Sequence, residues 1–168
     1  AECLKEGITS VLPDAAIVLS PVTDGGEGFL DAMVNGTNGY FRSVTVHDAL
    51  MRPGTAEIGF SSDGQTAFIE MARASGLELI LPSERNPLVT STFGTGEMIR
   101  VAIREGCNQI IMGIGGSATN DGGFGLARAL GWSFVDGQGR DIQSWTGLDG
   151  LARIVPPAPR ADAPQPRP

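Results

Sequence analysis

The sequence predicts a protein of the α/β class. Short apolar runs that are rich in β-branched residues alternate along the chain with stretches whose apolar residues recur at helical spacing. Three glycine-rich loops each follow a predicted strand or turn and lead towards a predicted helix. Glycine is frequent, at 24 of 168 residues, and 41% of the residues are hydrophobic. This combination favours a packed core with close-fitting ligand loops over a helical bundle.

The first forty residues predict a helix, a strand and a second helix. Apolar residues recur at helical spacing within residues 1–12, which predicts the first helix. The apolar run at residues 15–21 (AAIVLSP) predicts a buried strand. A short helix then begins at Phe29 and is ended by the Asn-Gly pair at 35–36.

The middle of the chain predicts antiparallel strands. Three segments have the composition of strands, at residues 41–46, 56–60 and 66–71. An Asp-Gly pair at 63–64 separates the last two at the spacing of a hairpin turn. We therefore expect antiparallel pairing here, in contrast to the alternation of helices and strands on either side.

The second half of the chain returns to that alternation. An apolar stripe over residues 98–103 predicts a helix that Gly106 ends. The following elements are predicted as a strand at 109–112, a helix at 126–130 and a strand at 132–135. Residues 156–168 are rich in proline and contain no aromatic residue, which predicts a disordered tail.

Composition excludes several classes of function. The net charge is -7 and the sequence pI is about 4.6, without the clustered Lys and Arg that a nucleic-acid-binding domain needs. Cys3 and Cys107 lie far apart and form no zinc motif, which favours two buried thiols over a disulfide and fits a cytoplasmic protein. No apolar run is long enough to span a membrane.

The first glycine loop, residues 21–28 (PVTDGGEG), carries two carboxylates. Asp24 and Glu27 could hold a magnesium ion or contact substrate hydroxyls, and Gly25 and Gly26 would let the backbone approach a ligand closely. An Asp-Gly turn before a helix with an acidic first turn explains the same residues without any function. The sequence alone leaves both interpretations open.

The second glycine loop, residues 90–97 (TSTFGTGE), carries four hydroxyl groups. These hydroxyls and the N–H groups that follow the first glycine could cradle an anion. A capping box accounts for some of these residues, but one helix cap does not need so many hydroxyls. The candidate binding residues in this loop are Ser91, Thr92, Gly94 and Thr95.

The third glycine loop, residues 113–123 (GIGGSATNDGG), follows a predicted buried strand. It lacks the Gly-Lys-Ser/Thr of a P-loop, and its glycine spacing does not fit a dinucleotide fingerprint. Polar residues this dense between glycines favour a ligand site over a purely structural loop. The candidates are Gly115, Gly116, Ser117, Asn120 and Asp121.

Three further polar residues have weaker support. His47, at the end of a predicted strand, is more typical of a hydrogen-bonded histidine than of a general base. Glu70 lies within an apolar strand and therefore needs a partner. Arg85 lies in a loop and either binds a carboxylate or phosphate or is an ordinary surface arginine.

The motifs together resemble the type 1 glycerate kinase family. The segments that carry the resemblance are PVTDGGEG at 21–28, TAFIEMARASGLEL at 66–79, RNPLVTSTFGTGE at 85–97 and IMGIGGSATNDGG at 111–123. They occur in the order of the family and at similar spacing. The resemblance extends from about residue 1 to about residue 157.

The resemblance implies ATP-dependent phosphorylation of D-glycerate, with Mg²⁺ as the metal ion. It also implies two intertwined α/β domains with the active site between them, so that residues 1–40 form part of a flavodoxin-like domain and residues 41–155 a second α/β domain. Asp24, Asp121 and Ser117 are the catalytic candidates. The substrate- and phosphate-binding candidates are Gly25, Gly26, Arg85, Ser91, Thr92, Gly94, Thr95, Gly115, Gly116 and Asn120. No residue is assigned to a metal.

The sequence also departs from the family pattern. Family members open with a strand and a lysine-containing loop before the helix that begins this chain, and they continue beyond residue 157. Residues 47–53 (HDALMRP) replace a different family motif. We therefore expect weak or absent kinase activity and a tendency to self-associate. A non-catalytic ligand-binding remnant and a dinucleotide-binding oxidoreductase domain are the alternatives.

Overall fold

The computed structural model describes residues 2–20 and 22–158, which form a mixed α/β fold with two sheets. The strands are β1 (Tyr40–His47), β2 (Pro53–Phe60), β3 (Thr66–Glu70), β4 (Gln109–Gly113), β5 (Ser133–Asp136) and β6 (Leu151–Val155). The helices are α1 (Glu2–Val11), α2 (Phe29–Gly36), α3 (Ala72–Ser75), α4 (Phe93–Arg104) and α5 (Phe124–Ala129). The α/β class that the sequence predicts is confirmed.

The larger sheet has the strand order β1-β2-β3-β4. β1, β2 and β3 pair antiparallel, as predicted, and β4 adds parallel to β3. The predicted Asp-Gly turn joins β2 to β3, where the N–H of Gly64 donates to the carbonyl of Ser61 at 2.8 Å. The sheet therefore changes from antiparallel to parallel pairing at β3.

The main core lies on both faces of β3. Phe68 packs on one face against Leu30 and Val34 of α2. Ile69, the next residue, packs on the other face in a cluster that includes Met98 of α4. Since successive side chains of a strand point to opposite faces, a strand covered by helices on both sides is apolar throughout. This arrangement fixes α2, which begins directly after the first glycine loop, and α4, which begins within the second.

A smaller core joins α5 to the two-stranded sheet. Phe124 of α5 and Phe134 of β5 have ring centroids 4.6 Å apart, and Ile142 completes the buried cluster. α4 packs against α5 and connects this part to the larger sheet. α5 is therefore held by α4 on one side and by the smaller core on the other. The third glycine loop connects β4 to this helix.

Some predicted elements differ from the structure. Of the strand predicted at residues 15–21, residues 15–20 form no strand, because they pair with no neighbouring strand among the described residues, and residue 21 lies outside those residues. β6 is not predicted from the sequence, whereas α3 ends at Ser75, where the sequence predicts the end of a helix. The proline-rich tail begins at residue 156, but from residue 159 onwards the prediction lies outside the described residues.

α1 forms where helical periodicity predicts it, but it buries none of its side chains. Leu4 is 72% exposed on this helix. Within residues 2–20 and 22–158, no helix combines the length and the apolar character that crossing a membrane requires.

Candidate functional site

The three glycine loops lie side by side although they are far apart in the sequence. The N–H of Gly115 in the third loop donates to the carbonyl of Gly25 in the first loop at 2.8 Å. The hydroxyl of Thr90 at the start of the second loop donates to the carbonyl of Ala118 in the third at 2.9 Å. The third loop follows the parallel strand β4 and lies between the other two loops.

The first and third loops approach each other through their backbones. A Cβ atom added to Gly115 would lie 2.6 Å from the Cα of Gly26, so a side chain at Gly115 would force the loops apart. Gly116 has a φ of +68°, in the left-handed region, and the carboxylate of Glu27 lies directly over it. These glycines are required by close approach and by backbone conformation.

Asp24 is exposed, and only one of its two carboxylate oxygens accepts a hydrogen bond from the described residues. Its Oδ1 accepts a hydrogen bond from the N–H of Gly26 at 3.0 Å, which is the Asp-Gly turn that the sequence offers as the non-functional alternative. Oδ2 makes no hydrogen bond to any residue in the described part of the chain. The turn and a ligand contact are therefore compatible in this structure.

Asp121 is a buried hydrogen-bond acceptor, only 5% exposed. Its Oδ2 accepts from the backbone N–H groups of Thr92 at 2.9 Å and Gly125 at 3.0 Å, and its Oδ1 accepts from Gly123 at 3.1 Å. The hydroxyl of Thr92 also lies 2.9 Å from Oδ2. The carboxylate thus joins the second loop to the first turn of α5, and its oxygens point into protein.

The second loop is mostly buried. Thr95 is fully buried, and its hydroxyl lies 2.8 Å from that of Ser75. Gly94 packs against the carbonyl of His47, where any side chain would collide. Ser91 is the half-buried member of the candidate set in this loop, and its Oγ accepts from the N–H of Phe93 at 3.2 Å.

The capping box predicted for the second loop does not form. Thr92 is the N-cap of α4, but its side chain makes no capping hydrogen bond. Its Oγ1 instead accepts from the N–H of Leu126 at 2.9 Å and contacts Asp121. Glu97 turns away from the cap, and its Oε2 lies 3.0 Å from Nδ1 of His47. Contacts with distant segments replace the local cap.

Arg85, Ser117 and Asn120 line one small cavity, which we call the anion pocket. Its volume is about 230 Å³, and Asn86 and Thr119 add further polar groups. The hydroxyls of Ser117 and Thr119 lie 2.7 Å apart. The lining contains one cation and no carboxylate, so the pocket suits a small anion.

A second cavity, of about 510 Å³, has the opposite charge and is called the acidic cavity. Glu27, Glu57, Glu70 and Glu78 line it together with Arg73. Glu70 is 2% exposed; it accepts from the N–H of Leu30 at 2.9 Å and lies 3.3 Å from Nε of Arg73. The carboxylate excess disfavours an anionic ligand here. Glu70 is paired, as its burial in an apolar strand requires.

One residue that contributes to these loops is not found by sequence reasoning. Ser75 is expected only to end a helix, yet it is fully buried and its carbonyl accepts from the N–H of Ala118 at 2.8 Å. Only the burial of Ser75 marks it, and burial of a hydroxyl has no local signal in a sequence.

No metal site is preformed in the described part of the chain. The residues that the structure describes contain no group of three or more His, Cys, Asp or Glu side chains placed to hold a metal ion. His47 is paired with Glu97 rather than grouped with carboxylates.

Comparison with known proteins follows the same motifs. A sequence model of the glycerate kinase family matches residues 1–161. The chain is 49% identical over 142 residues to the glycerate 2-kinase of Escherichia coli K12, which covers 84% of this chain and 37% of that protein. It is 48% identical over 155 residues to the glycerate kinase of Bacillus subtilis 168, covering 92% of this chain and 41% of that protein.

A solved structure is similar as well. The crystal structure of a protein from Salmonella typhimurium LT2 described as a glycerate kinase 2 matches with a TM-score of 0.78 and 48% sequence identity. The match covers 91% of this chain and 41% of that one. The chain therefore spans about 40% of the length of the relatives it matches.

Proposed function

The chain belongs to the glycerate kinase family, and from this premise we propose that it forms part of an enzyme that transfers the γ-phosphoryl group of ATP to D-glycerate. The observation that carries this proposal is the anion pocket, which the third glycine loop lines together with residues 85–87. It is small, it contains a cation and no carboxylate, and hydroxyl and amide groups surround the cation. These are the properties that a short hydroxy acid requires of its site.

Glycerate binding is assigned to the anion pocket. Arg85 would hold the carboxylate, because its planar guanidinium matches the two oxygens of a carboxyl group. Ser117 and Asn120 would hydrogen-bond to the hydroxyls, since both line the same cavity. The acidic cavity is a poor alternative because its carboxylates would repel the substrate.

Phosphate binding is assigned to the backbone of the first and third loops. Gly25, Gly26, Gly115 and Gly116 bring two loop backbones together without intervening side chains, so that an anion can approach the backbone closely. The N–H groups of the first three already donate to Thr23, Asp24 and the carbonyl of Gly25, so the N–H of Gly116 is the one assigned to the phosphate. Ser91 is assigned a direct contact. The buried candidates of the second loop keep these loops in position, and these are Thr92, Gly94 and Thr95.

The reaction needs one carboxylate near the acceptor hydroxyl, and we assign Asp24 to it. The hydroxyl oxygen of glycerate bonds to the γ-phosphorus, the bond from that phosphorus to the bridging oxygen of ADP breaks, and Asp24 receives the hydroxyl proton. Asp121 is assigned a positioning role, because its oxygens already accept hydrogen bonds from two loops. Positioning and charge neutralisation account for most of the catalysis of phosphoryl transfer.

Magnesium fits this arrangement as a partner of the nucleotide. Mg²⁺ usually keeps several water ligands and is held by substrate phosphates with one or two carboxylates, so a preformed cluster is not needed. Glu27 would supply that carboxylate, because it lies over the backbone of Gly116 and is exposed. The ion, when bound, neutralises charge on the phosphates.

Arg85→Met tests the substrate assignment in the 168-residue chain. Binding of D-glycerate, followed by saturation-transfer NMR, is expected to weaken at least about tenfold, since a charge-assisted hydrogen bond contributes about 1.5–3 kcal/mol before solvent screening. Arg104→Met is the matched control, because Arg104 is an exposed residue at the end of α4. Equal affinity in all three proteins would contradict the assignment.

Turnover is measured separately, as ADP release that depends on D-glycerate. Release above a glycerate-free blank supports the kinase proposal directly. Glycerate binding without turnover favours the non-catalytic alternative for this chain. The two-domain division at residues 40 and 41 and the cytoplasmic location remain predictions of the sequence.

A further inference from the structure

A cavity lined by aromatic rings lies beside the anion pocket and has no role in the function proposed above. We call it the ring cavity; its volume is about 520 Å³. Its walls come from the second glycine loop, from α5 and from the 3₁₀ helix Trp145–Gly150 with the residues before it. Small-molecule sites in proteins usually measure about 300–1,000 Å³, so its size is that of a ligand site.

Aromatic side chains are concentrated here. Aromatic residues make up only 6% of the chain, yet Phe93, Phe124 and Trp145 all line this cavity. The ring of Phe124 packs against that of Phe134, with centroids 4.6 Å apart. The ring of Phe93 makes an edge contact with His47, with centroids 5.7 Å apart. Rings fixed in this way favour a planar ligand that stacks or packs edge-on.

The charge of the cavity suits an anionic ligand. Arg128 lines it, and no carboxylate does. The guanidinium lies 5.7 Å from the centre of the Phe124 ring and donates to the carbonyl of Ile142 at 2.6 Å and to Asp141 at 3.0 Å. Arg128 therefore fixes the segment that leads into the 3₁₀ helix; its charge is shared with Asp141, and the lining of the cavity itself holds no carboxylate.

One short segment of the chain lines first the anion pocket and then the ring cavity. Thr90 and Ser91 line the ring cavity, while Asn86 and Pro87 line the anion pocket. The hydroxyl of Thr90 also donates to Ala118 in the wall of the anion pocket. A ligand with a ring at one end and an anion at the other could therefore lie along residues 86–91.

Size and charge exclude the other cavities for such a ligand. The anion pocket, at about 230 Å³, is below the usual range for a nucleotide-sized molecule. A further cavity beside His47 and Arg73 measures about 190 Å³. The acidic cavity is large enough but carries four carboxylates. Of these four cavities, the ring cavity alone combines the volume, the rings and a lining without carboxylates.

We propose that the ring cavity binds the base and ribose of the nucleotide that donates the phosphoryl group, with its phosphates directed towards the glycine loops. This inference rests on the proposed phosphotransferase function, because only that function requires a nucleotide. Stacking on the fixed rings would supply affinity for the base, and Arg128 would attract the phosphates.

Trp145 provides a direct signal for the test. The chain has two tryptophans, and Trp132 does not line the cavity, so Trp132→Phe leaves Trp145 as the single reporter. Adenosine, which has no phosphate, is expected to change the emission of Trp145 with saturation. Inorganic triphosphate, which has no base, is expected to leave it unchanged. No response to adenosine or ATP up to millimolar concentration overturns the proposal.

A matched pair of substitutions locates the binding. Thr146→Tyr fills the cavity from its exposed rim and should weaken adenosine binding at least tenfold. Thr45→Tyr makes the same change at an exposed position of β1 outside the cavity and should have no effect. Equal affinities in the two variants, each checked for an unchanged circular dichroism spectrum, would overturn the assignment.

Failure of this inference is distinguishable from failure of the proposed function. Adenosine binding that Thr146→Tyr removes supports the ring cavity even if D-glycerate does not bind. Glycerate-dependent ADP release that Thr146→Tyr leaves unchanged places the nucleotide elsewhere, overturns this inference and leaves the kinase proposal standing.

Discussion

Replacing Asp121 with asparagine is expected to lower the free energy of unfolding by about 2–3 kcal/mol. The carboxylate accepts hydrogen bonds from three backbone N–H groups, of Thr92, Gly123 and Gly125, at 2.9–3.1 Å. An asparagine in its better orientation keeps its oxygen on Thr92 and Gly125 and turns its NH₂ group towards Gly123. It loses one charge-assisted hydrogen bond, which contributes about 1.5–3 kcal/mol, and weakens the two that remain.

The alanine variant, Asp121→Ala, should lower the free energy of unfolding further, by about 3–5 kcal/mol. It leaves buried N–H groups without acceptors, and each such group costs about 1–3 kcal/mol. Urea unfolding followed by circular dichroism measures both variants. With a slope of about 1–3 kcal/mol per molar urea, the asparagine variant should lower the midpoint by about 0.7–3 M.

Asp149→Asn is the control for these measurements. Asp149 is an exposed residue of the Trp145–Gly150 helix, and surface substitutions of this kind usually stay within about 0.5 kcal/mol. If Asp121→Asn shifts the midpoint no more than Asp149→Asn does, the positioning role is refuted. A variant that keeps full stability but loses phosphoryl transfer would instead make Asp121 a catalytic residue.

Three further predictions concern the rest of the chain. Although burial alone would raise the pKa of Asp48, hydrogen bonds from donors in its own turn outweigh that effect and lower the pKa below 3.8. The ionised form therefore stabilises the fold above that pH, and the stability difference between the wild type and Asp48→Asn should disappear as urea unfolding is repeated at lower pH; a constant difference would contradict this. Burial raises the pKa of the Cys107 thiol, whereas Cys3 is exposed, so an aromatic disulfide reagent at pH 8 should modify Cys3 first and Cys107 slowly; equal rates would count against the structure. The exposed apolar face of α1 should promote self-association, and Leu4→Glu with Ile8→Glu should reduce the sedimentation coefficient if the wild type is associated.

Sequence reasoning finds the glycine loops but does not separate their roles. Glycines and hydroxyls in short runs mark positions where the backbone is crowded or polar, and that local signal is strong. Whether a hydroxyl faces a ligand or the interior depends on segments far away in the chain. Thr95 and Ser91 look alike in the sequence, yet the first is fully buried and the second lies at the edge of a cavity.

The incorrect strand at 15–20 has a related cause. An apolar run with β-branched residues shows that a segment can be buried in a sheet, but a strand forms only where a partner offers backbone hydrogen bonds. The same limit explains β6, where Leu151 and Ile154 are exposed and give no clear pattern while pairing with β5 fixes the strand. Helices such as α4 are predicted well because their hydrogen bonds are local.

The backbone contact between the first and third loops has a consequence for dynamics. Loops that are rich in glycine are usually assumed to exchange their amide hydrogens rapidly with solvent. The amide of Gly115 donates to the carbonyl of Gly25, and the two loop backbones touch without side chains between them. The amide hydrogen of Gly115 should therefore exchange far more slowly than that of Gly122, which has open space around it. Such a loop is rigid before a ligand arrives, so binding would not carry the entropic cost of ordering it.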